Sequence, residues 1–285
     1  MRAIFYYFSG TGNTERVAKA LAQEWMALGH EADLYAVRKG ETVPLPSGYD
    51  RVVVGYPVHA FNAPAPLLRF LKKLPKAGKN EKIPPVFLLR TSGEPLKLND
   101  AAGITPRRIL KRKGYAVCGE FHYVMPYNII FRHSDGMAAR MDLGVRLRIA
   151  ADARAIEAGD GERFRVNALR RMAAFLLRVE HSAMPVIGRT FRIKKKKCMG
   201  CGVCAKACPQ GNIRMKDGKP KFGGSCAGCM GCAFRCPADA VRTSVLNGWR
   251  VNGAYSFEGA PATDAEVCNY CHKSYLRYFH SGEDK

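Results

Sequence analysis

The sequence predicts a doubly wound α/β domain built on a five-strand parallel sheet, followed by a smaller, cysteine-rich α+β domain. Three observations carry this. Apolar runs alternate with helical segments through the first 130 residues, a glycine-rich turn follows the first run, and one cysteine pattern occurs twice near the other end. A chain of 285 residues is long for a single core and fits two domains.

Residues 2 to 8, "RAIFYYF", are rich in aromatic and other residues of high β-propensity and read as the first strand. After "SGTGNTE", Val17, Leu21, Trp25 and Leu28 recur at helical spacing. Four more strands are expected at 31–37, 50–56, 84–90 and 115–125, with helices at 63–74 and 99–113 between the later ones. Beyond these, Met141, Val145, Ile149 and Ile156 mark one helix, and Leu169, Met172, Leu176 and Val179 mark a second after "AGDGER". Both apolar faces are expected to be buried, on the sheet or on each other.

A strand, tight loop and helix in succession present free N–H groups and the positive end of a helix dipole to an anion, typically phosphate. A P-loop would carry Lys and then Ser or Thr after its last glycine, and a dinucleotide loop would carry a small residue where Glu15 stands. Neither pattern is met. The loop instead offers Ser9, Thr11, Asn13 and Thr14 as neutral donors, with Gly10 and Gly12 permitting close approach. A plain capped helix, with Asn13 or Thr14 as the cap, is the alternative reading.

The cysteine pattern is C-x2-C-x2-C-x3-C-P, as "CMGCGVCAKACP" (198–209) and "CAGCMGCAFRCP" (226–237). Gly200 and Gly228 precede the second cysteine of each run, where the chain must turn tightly, and Pro209 and Pro237 end the turn. Structural zinc also uses C-x2-C pairs, but the third cysteine at the same spacing is surplus to it. A reducing compartment favours metal over disulfides for such regular cysteines.

Lys and Arg exceed Asp and Glu by 22, and residues 132–197 hold 16 basic against 7 acidic side chains. "RIKKKK" (192–197) leads directly into the first cysteine run. Solvation accounts for much of this charge, and attraction of an acidic redox partner is the functional reading; no nucleic-acid motif accompanies it. There is no signal-like start and no apolar run near the length of a membrane span, so a cytoplasmic protein without a membrane partner is expected.

"CNYCH" (268–272) matches the c-type haem attachment signature, which requires export, so Cys268 and Cys271 are read as buried thiols, with a metal role left open. Cys118 reads as a core residue. His30, His122, His133, His181 and His280 show no ligand spacing, and "MPYNI" (125–129) either lines a ligand or only ends the fifth strand.

The loop "FSGTGNTE" and the strand pattern around it resemble flavodoxins, and the doubled cysteine run resembles bacterial two-cluster ferredoxins. Residues 1–245 together resemble ferredoxins with an N-terminal flavodoxin-like domain. The resemblance implies strand order 2-1-3-4-5 with the ligand at the carboxyl ends of the strands. It implies a flavodoxin-like domain at 1–130, a helical connector at 131–190, a two-cluster ferredoxin domain at 191–245 and a C-terminal extension at 246–285.

It also implies cofactors. FMN would be held by Ser9, Gly10, Thr11, Gly12, Asn13 and Thr14 at its phosphate, and by Tyr56, Pro57, Val58, His59, Ala60, Thr91, Ser92, Gly93 and Glu94 at its ring. One [4Fe-4S] cluster would take Cys198, Cys201, Cys204 and Cys236, and the other Cys226, Cys229, Cys232 and Cys208. The chain departs from flavodoxins in its basic charge and its tryptophans, since Trp25 and Trp249 are expected away from the ring and Tyr56, His59 or Phe61 would shield it.

The function implied is electron transport by an oxidoreductase-class carrier, passing electrons between clusters and flavin or to a partner. In the alternative, the flavodoxin-like domain has lost flavin and serves as a docking module. A third reading, an FMN reductase with its own substrate, has no substrate-specific residue to support it.

Overall fold

The computed structural model describes residues 1–42, 44–78 and 83–281. Residues 282–285 of the expected C-terminal extension lie outside them.

Strands β1 (Arg2–Tyr7), β2 (Glu31–Ala36), β3 (Arg51–Pro57), β4 (Val86–Ser92) and β5 (Val117–Val124) form one sheet in the order β2-β1-β3-β4-β5. Every pairing is parallel. Successive strand residues point to opposite faces, so each strand feeds two cores. Ile4, Tyr6, Val52, Val54 and Leu88 face helices α2 (Ala65–Lys73) and α3 (Ile104–Arg112), where they meet Leu67, Leu71 and Leu110. Ala3, Phe5, Val53, Phe87 and Leu89 face α1 (Asn13–Ala27), where they meet Val17, Leu21 and Trp25.

The connector splits in two. Helix α4 (Asp135–Ala158) brings Val145, Ile149 and Ile156 into the second core beside α1, as the periodicity predicts. Helices α5 (Ala168–Leu177) and α6 (Glu180–Arg189) behave otherwise. The face expected to be buried is exposed: Leu169 is 68% exposed, Met172 57%, Leu176 65% and Val179 67%. The side turned inward instead carries Ala174, whose carbonyl accepts from Asn62 Nδ2 at 2.8 Å. Periodicity fixes that a helix is amphipathic, not which way it faces.

The small domain contains β6 (Arg192–Ile193) paired antiparallel with β9 (Val241–Arg242), and a hairpin of β7 (Ile213–Lys216) and β8 (Lys219–Phe222). The hairpin turns on Asp217 and Gly218, both at positive φ, the pair that suits a two-residue loop. Each cysteine run includes one short helix, α7 (Val203–Lys206) or α8 (Gly231–Phe234). The chain then returns to the first domain and ends in α9 (His272–His280), whose Tyr275 and Phe279 pack with Val124, Met137 and Met141. No helix among the described residues is long and apolar enough to cross a membrane.

Candidate functional site

The loop after β1 begins α1 without a conventional cap. The N-cap is Gly12, at φ 113°, and no side chain caps the helix. Asn13, a candidate cap, sends its amide to the Pro126 carbonyl at 2.7 Å, and Thr14 is buried with its hydroxyl 2.7 Å from that of Thr91. Ser9 Oγ accepts from Gly12 N–H at 3.2 Å, which closes the loop on itself. The capped-helix alternative is therefore not what forms, and the first-turn N–H groups of α1 are left for another acceptor.

A cavity of about 350 Å³ opens at the carboxyl ends of β1, β3, β4 and β5, within the range of small-molecule and cofactor sites. Ser9, Gly10, Thr11, Asn13 and Thr14 line one end, Pro57, Val58, His59, Ala60 and Phe61 one side, and Thr91, Ser92, Gly93 and Glu94 another. Two expected residues are absent from this wall. Gly12 sets the loop's conformation from behind, beside Glu15 and Arg16. Tyr56 is fully buried in the core with Val52 and Val54, because all three share one face of β3. Burial pushes its phenol well up.

The remaining wall comes partly from the stretch after β5 that the sequence left open and partly from segments that local sequence did not mark. Met125, Pro126, Tyr127, Asn128 and Ile129 line the cavity, so the stretch after β5 does more than end the strand. Glu180 and Met184 of α6 in the connector, Gly228 and Met230 of the second domain, and Leu246 and Trp249 beyond it close the cavity. Trp249, expected elsewhere, thus joins Phe61 and Tyr127 as an aromatic residue of the wall; Trp25 lies in the core beneath α1.

Polar contacts brace the cavity. Tyr127 donates to Glu94 Oε2, while Asn99 Nδ2 donates to the Glu94 carbonyl at 2.8 Å. Burial raises the Glu94 carboxyl above the usual range, against the hydrogen bonds that its oxygens accept from Tyr127 and, at 3.4 Å, from Asn99 Nδ2. The Tyr275 hydroxyl donates to the Gly93 carbonyl at 2.5 Å, so α9 holds the same loop from outside. Ala60 and Phe61 are both left-handed, at φ 43° and 60°, in the two-residue turn closed by the His59–Asn62 bridge. Such backbone strain in non-glycine residues collects at ligand sites. His59 is neutral here, its pKa lowered to about 4 by burial.

The eight repeated cysteines form two groups. Cys198, Cys201, Cys204 and Cys236 line one small void. Cys208, Cys226, Cys229 and Cys232 line another, so each void takes three thiols from one run and the fourth from the other. All are free thiols. The two exchanged cysteines have matching surroundings: Asn212 N–H donates to Cys208 Sγ at 3.3 Å and Ala240 N–H to Cys236 Sγ at 3.2 Å. Gly200 and Gly228, at φ 73° and 70°, make the tight turn that the spacing demands. Among the described residues no three His, Cys, Asp or Glu side chains are grouped to hold a single metal ion.

The second cysteine group abuts the cavity. A Cβ at Gly10 would lie 2.5 Å from Cys229 Cβ and 2.8 Å from its Sγ. Asn128 Nδ2 also donates to the Cys229 carbonyl at 3.2 Å. Arg235, from the same run, reaches within 3.4 Å of a Cβ placed on Gly12, so a cation from the second domain stands beside a loop that has none of its own.

Cys268 and Cys271 pack among Val267, Tyr275 and Phe279 as half-buried thiols. Cys118 is half-buried beside the second core rather than within it. His133, singled out by no spacing, accepts from Tyr127 N–H at 3.2 Å behind the cavity wall.

Residues 4–87 match the flavodoxin domain family and residues 197–241 the 4Fe-4S dicluster domain family. No curated protein matches the chain. Among solved structures, a Streptococcus pneumonia TIGR4 flavodoxin is 16% identical over 55% of this chain and 99% of its own, at a TM-score of 0.40. Oxidised flavodoxin 1 from Bacillus cereus is 14% identical over 55% and 98%, at 0.41. An NAD(P)H:quinone oxidoreductase from Methanothermobacter marburgensis is 13% identical over 55% and 96%, at 0.40. The chain thus carries a flavodoxin-like domain and a 4Fe-4S dicluster domain in one polypeptide, a combination that supports an electron-transfer role.

Proposed function

We propose that the protein relays electrons between two [4Fe-4S] clusters and FMN, or from these to an external redox protein. Cys198, Cys201, Cys204 and Cys236 would hold one cluster, and Cys208, Cys226, Cys229 and Cys232 the other. FMN would occupy the cavity at the end of the sheet. The observation that carries the proposal is the wall shared by that cavity and the second cysteine group, where Gly10 lies against Cys229.

Clusters supply one-electron steps and a bound flavin supplies one- or two-electron steps. The chain's own residues supply position and environment. Thr11 and the uncapped first turn of α1 face the end suited to phosphate. Met184, Met230, Leu246 and Trp249 keep water from the far side. Glu94, its pKa raised and its Oε2 held by Tyr127, keeps a proton to higher pH than a surface glutamate does. The backbone donors on Cys208 and Cys236 temper the charge on those sulfurs.

The external partner would be acidic. Lys194, Lys195, Lys196 and Lys197 are exposed immediately ahead of Cys198, and the chain's net charge of +22 would steer an acidic surface to that end. A reducing cytoplasm would suit a chain whose cysteines form no disulfide among the described residues.

The test is protein purified without oxygen, assayed for iron, acid-labile sulfide and acid-released flavin. The proposal expects iron and sulfide at the level of two four-iron clusters, with one flavin per chain. Clusters without flavin would favour the docking-module reading, and zinc in place of iron would end both.

A further inference from the structure

From the exposed face of α5 and α6 we infer a second capacity, independent of the cofactors: this helix pair docks the protein onto an anionic lipid surface. Leu169, Met172, Phe175, Leu176, Val179 and Val186 are between 57% and 68% exposed. At about 100° per residue, the first five fall within an arc of about 120° on the side of the helix opposite Ala174. Soluble proteins rarely leave so many large apolar side chains together on one surface.

Charge selects the occupant. Between residues 162 and 192 there are seven arginines and two glutamates. Arg163, Arg165, Arg171 and Arg189 are exposed, with no ion-pair partner among the described residues. Glu180 is turned inward to the cavity. A second copy of the chain would bring like charge onto like charge. An acidic protein would pair with the arginines but leave the apolar arc against a polar surface. The boundary between anionic headgroups and acyl chains meets both needs, and a basic helix with a Leu/Phe face lies in that plane. The helices need not span the bilayer, so the expectation of no membrane partner, drawn from the lack of a spanning run, does not bear on them.

The inner side of α6 gives this placement a use. A Cβ at Gly188 would lie 2.1 Å from Cys226 Cβ, and Met184 lines the cavity. A lipid surface against the outer side would therefore lie about one helix diameter from the second cysteine group.

The experiment is flotation of the full chain, prepared without oxygen, with vesicles of phosphatidylcholine alone or mixed with phosphatidylglycerol. Anionic vesicles should float the protein at least about tenfold more than neutral ones, and about 1 M salt should abolish the difference. Phe175→Glu with Leu176→Glu should cut flotation at least about tenfold while leaving iron content and circular dichroism unchanged, since both side chains are two-thirds exposed. Should that variant lose iron, Leu169→Gln with Met172→Gln takes its place. The inference is overturned if anionic vesicles leave the protein at the bottom, or if the substituted protein floats as well as the original. It is equally overturned if the protein is a dimer that these substitutions separate, or if immobilised polyglutamate holds the protein as tightly as anionic vesicles do.

Discussion

Gly10 packs directly on the second cysteine run, and its replacement by alanine tests the shared wall directly. The new Cβ would meet Cys229 Cβ at 2.5 Å, Sγ at 2.8 Å and the carbonyl oxygen at 2.9 Å. Carbon atoms prefer about 3.5–4.0 Å, so the loop and the cysteine run must separate by about 1 Å. A change of rotamer at Cys229 relieves only the sulfur, because Cβ and the carbonyl move with the backbone. That backbone is also held by Asn128, and Gly231 packs on Gly10 just as closely, since an added Cβ there would stand 2.5 Å from the Gly10 carbonyl oxygen. Overpacking of this kind costs about 1–3 kcal/mol, which opens the junction about 5- to 150-fold more often. We expect Gly10→Ala to speed loss of about half the iron to a chelator, to leave the other half unaffected, and to lower the melting temperature. Chelation kinetics and melting temperature both unchanged would refute the close approach on which the relay rests.

Three further outcomes are expected. Cys236→Ala should damage the same cluster as Cys201→Ala, and Cys208→Ala the same cluster as Cys229→Ala, although in both cases the pair spans two runs; electron paramagnetic resonance of the reduced proteins would show any other grouping. Thr11→Val should weaken flavin binding about 2- to 12-fold, the worth of one hydrogen bond of about 0.5–1.5 kcal/mol, and equal flavin affinity by fluorescence titration would place the phosphate elsewhere. His133 has its pKa lowered by burial from 6.5 to about 4, so the folded state binds fewer protons than the unfolded state in that window. Its contribution is complete above pH 6.5 and falls away toward pH 4 by at most about 3 kcal/mol, so melting temperature should drop across that range less steeply in His133→Gln.

The sheet was legible because its signals are local. Continuous apolar runs in β1 and β3 encode both strand and burial on two faces, and the cysteine runs encode their own turns through Gly200 and Gly228. Tyr56 shows a signal available but unused, since its parity with Val52 and Val54 already pointed it into the core. Trp249, Met184 and Met230 could not be found the same way. Each reaches the cavity only through the packing of one domain on another, and nothing beside them in sequence marks a ligand wall. Helix α5 is the converse case, where a clear amphipathic stripe was read and its direction depended on a neighbour that is not there.

The return of the chain after the second cysteine run helps hold the cavity and the cysteine groups together. Ile130 N–H donates to the Trp249 carbonyl at 2.6 Å, Arg132 to the Gly253 carbonyl at 2.7 Å, and Tyr255 to the Tyr127 carbonyl at 2.7 Å. Further along, Tyr275 fixes Gly93. The small domain is thus tied to the flavodoxin-like domain on both sides, by the connector before it and by this strap behind it. Two tethered surfaces meet at an effective concentration set by the chain rather than by diffusion, and two ties restrict their orientation as well. The strap also supplies Trp249 to the cavity, so the segment that fixes the distance between the two regions helps shape one of them. Function at this junction would then depend on residues 246–281 as much as on the cysteines, although that stretch carries no cofactor ligand in the proposed assignment.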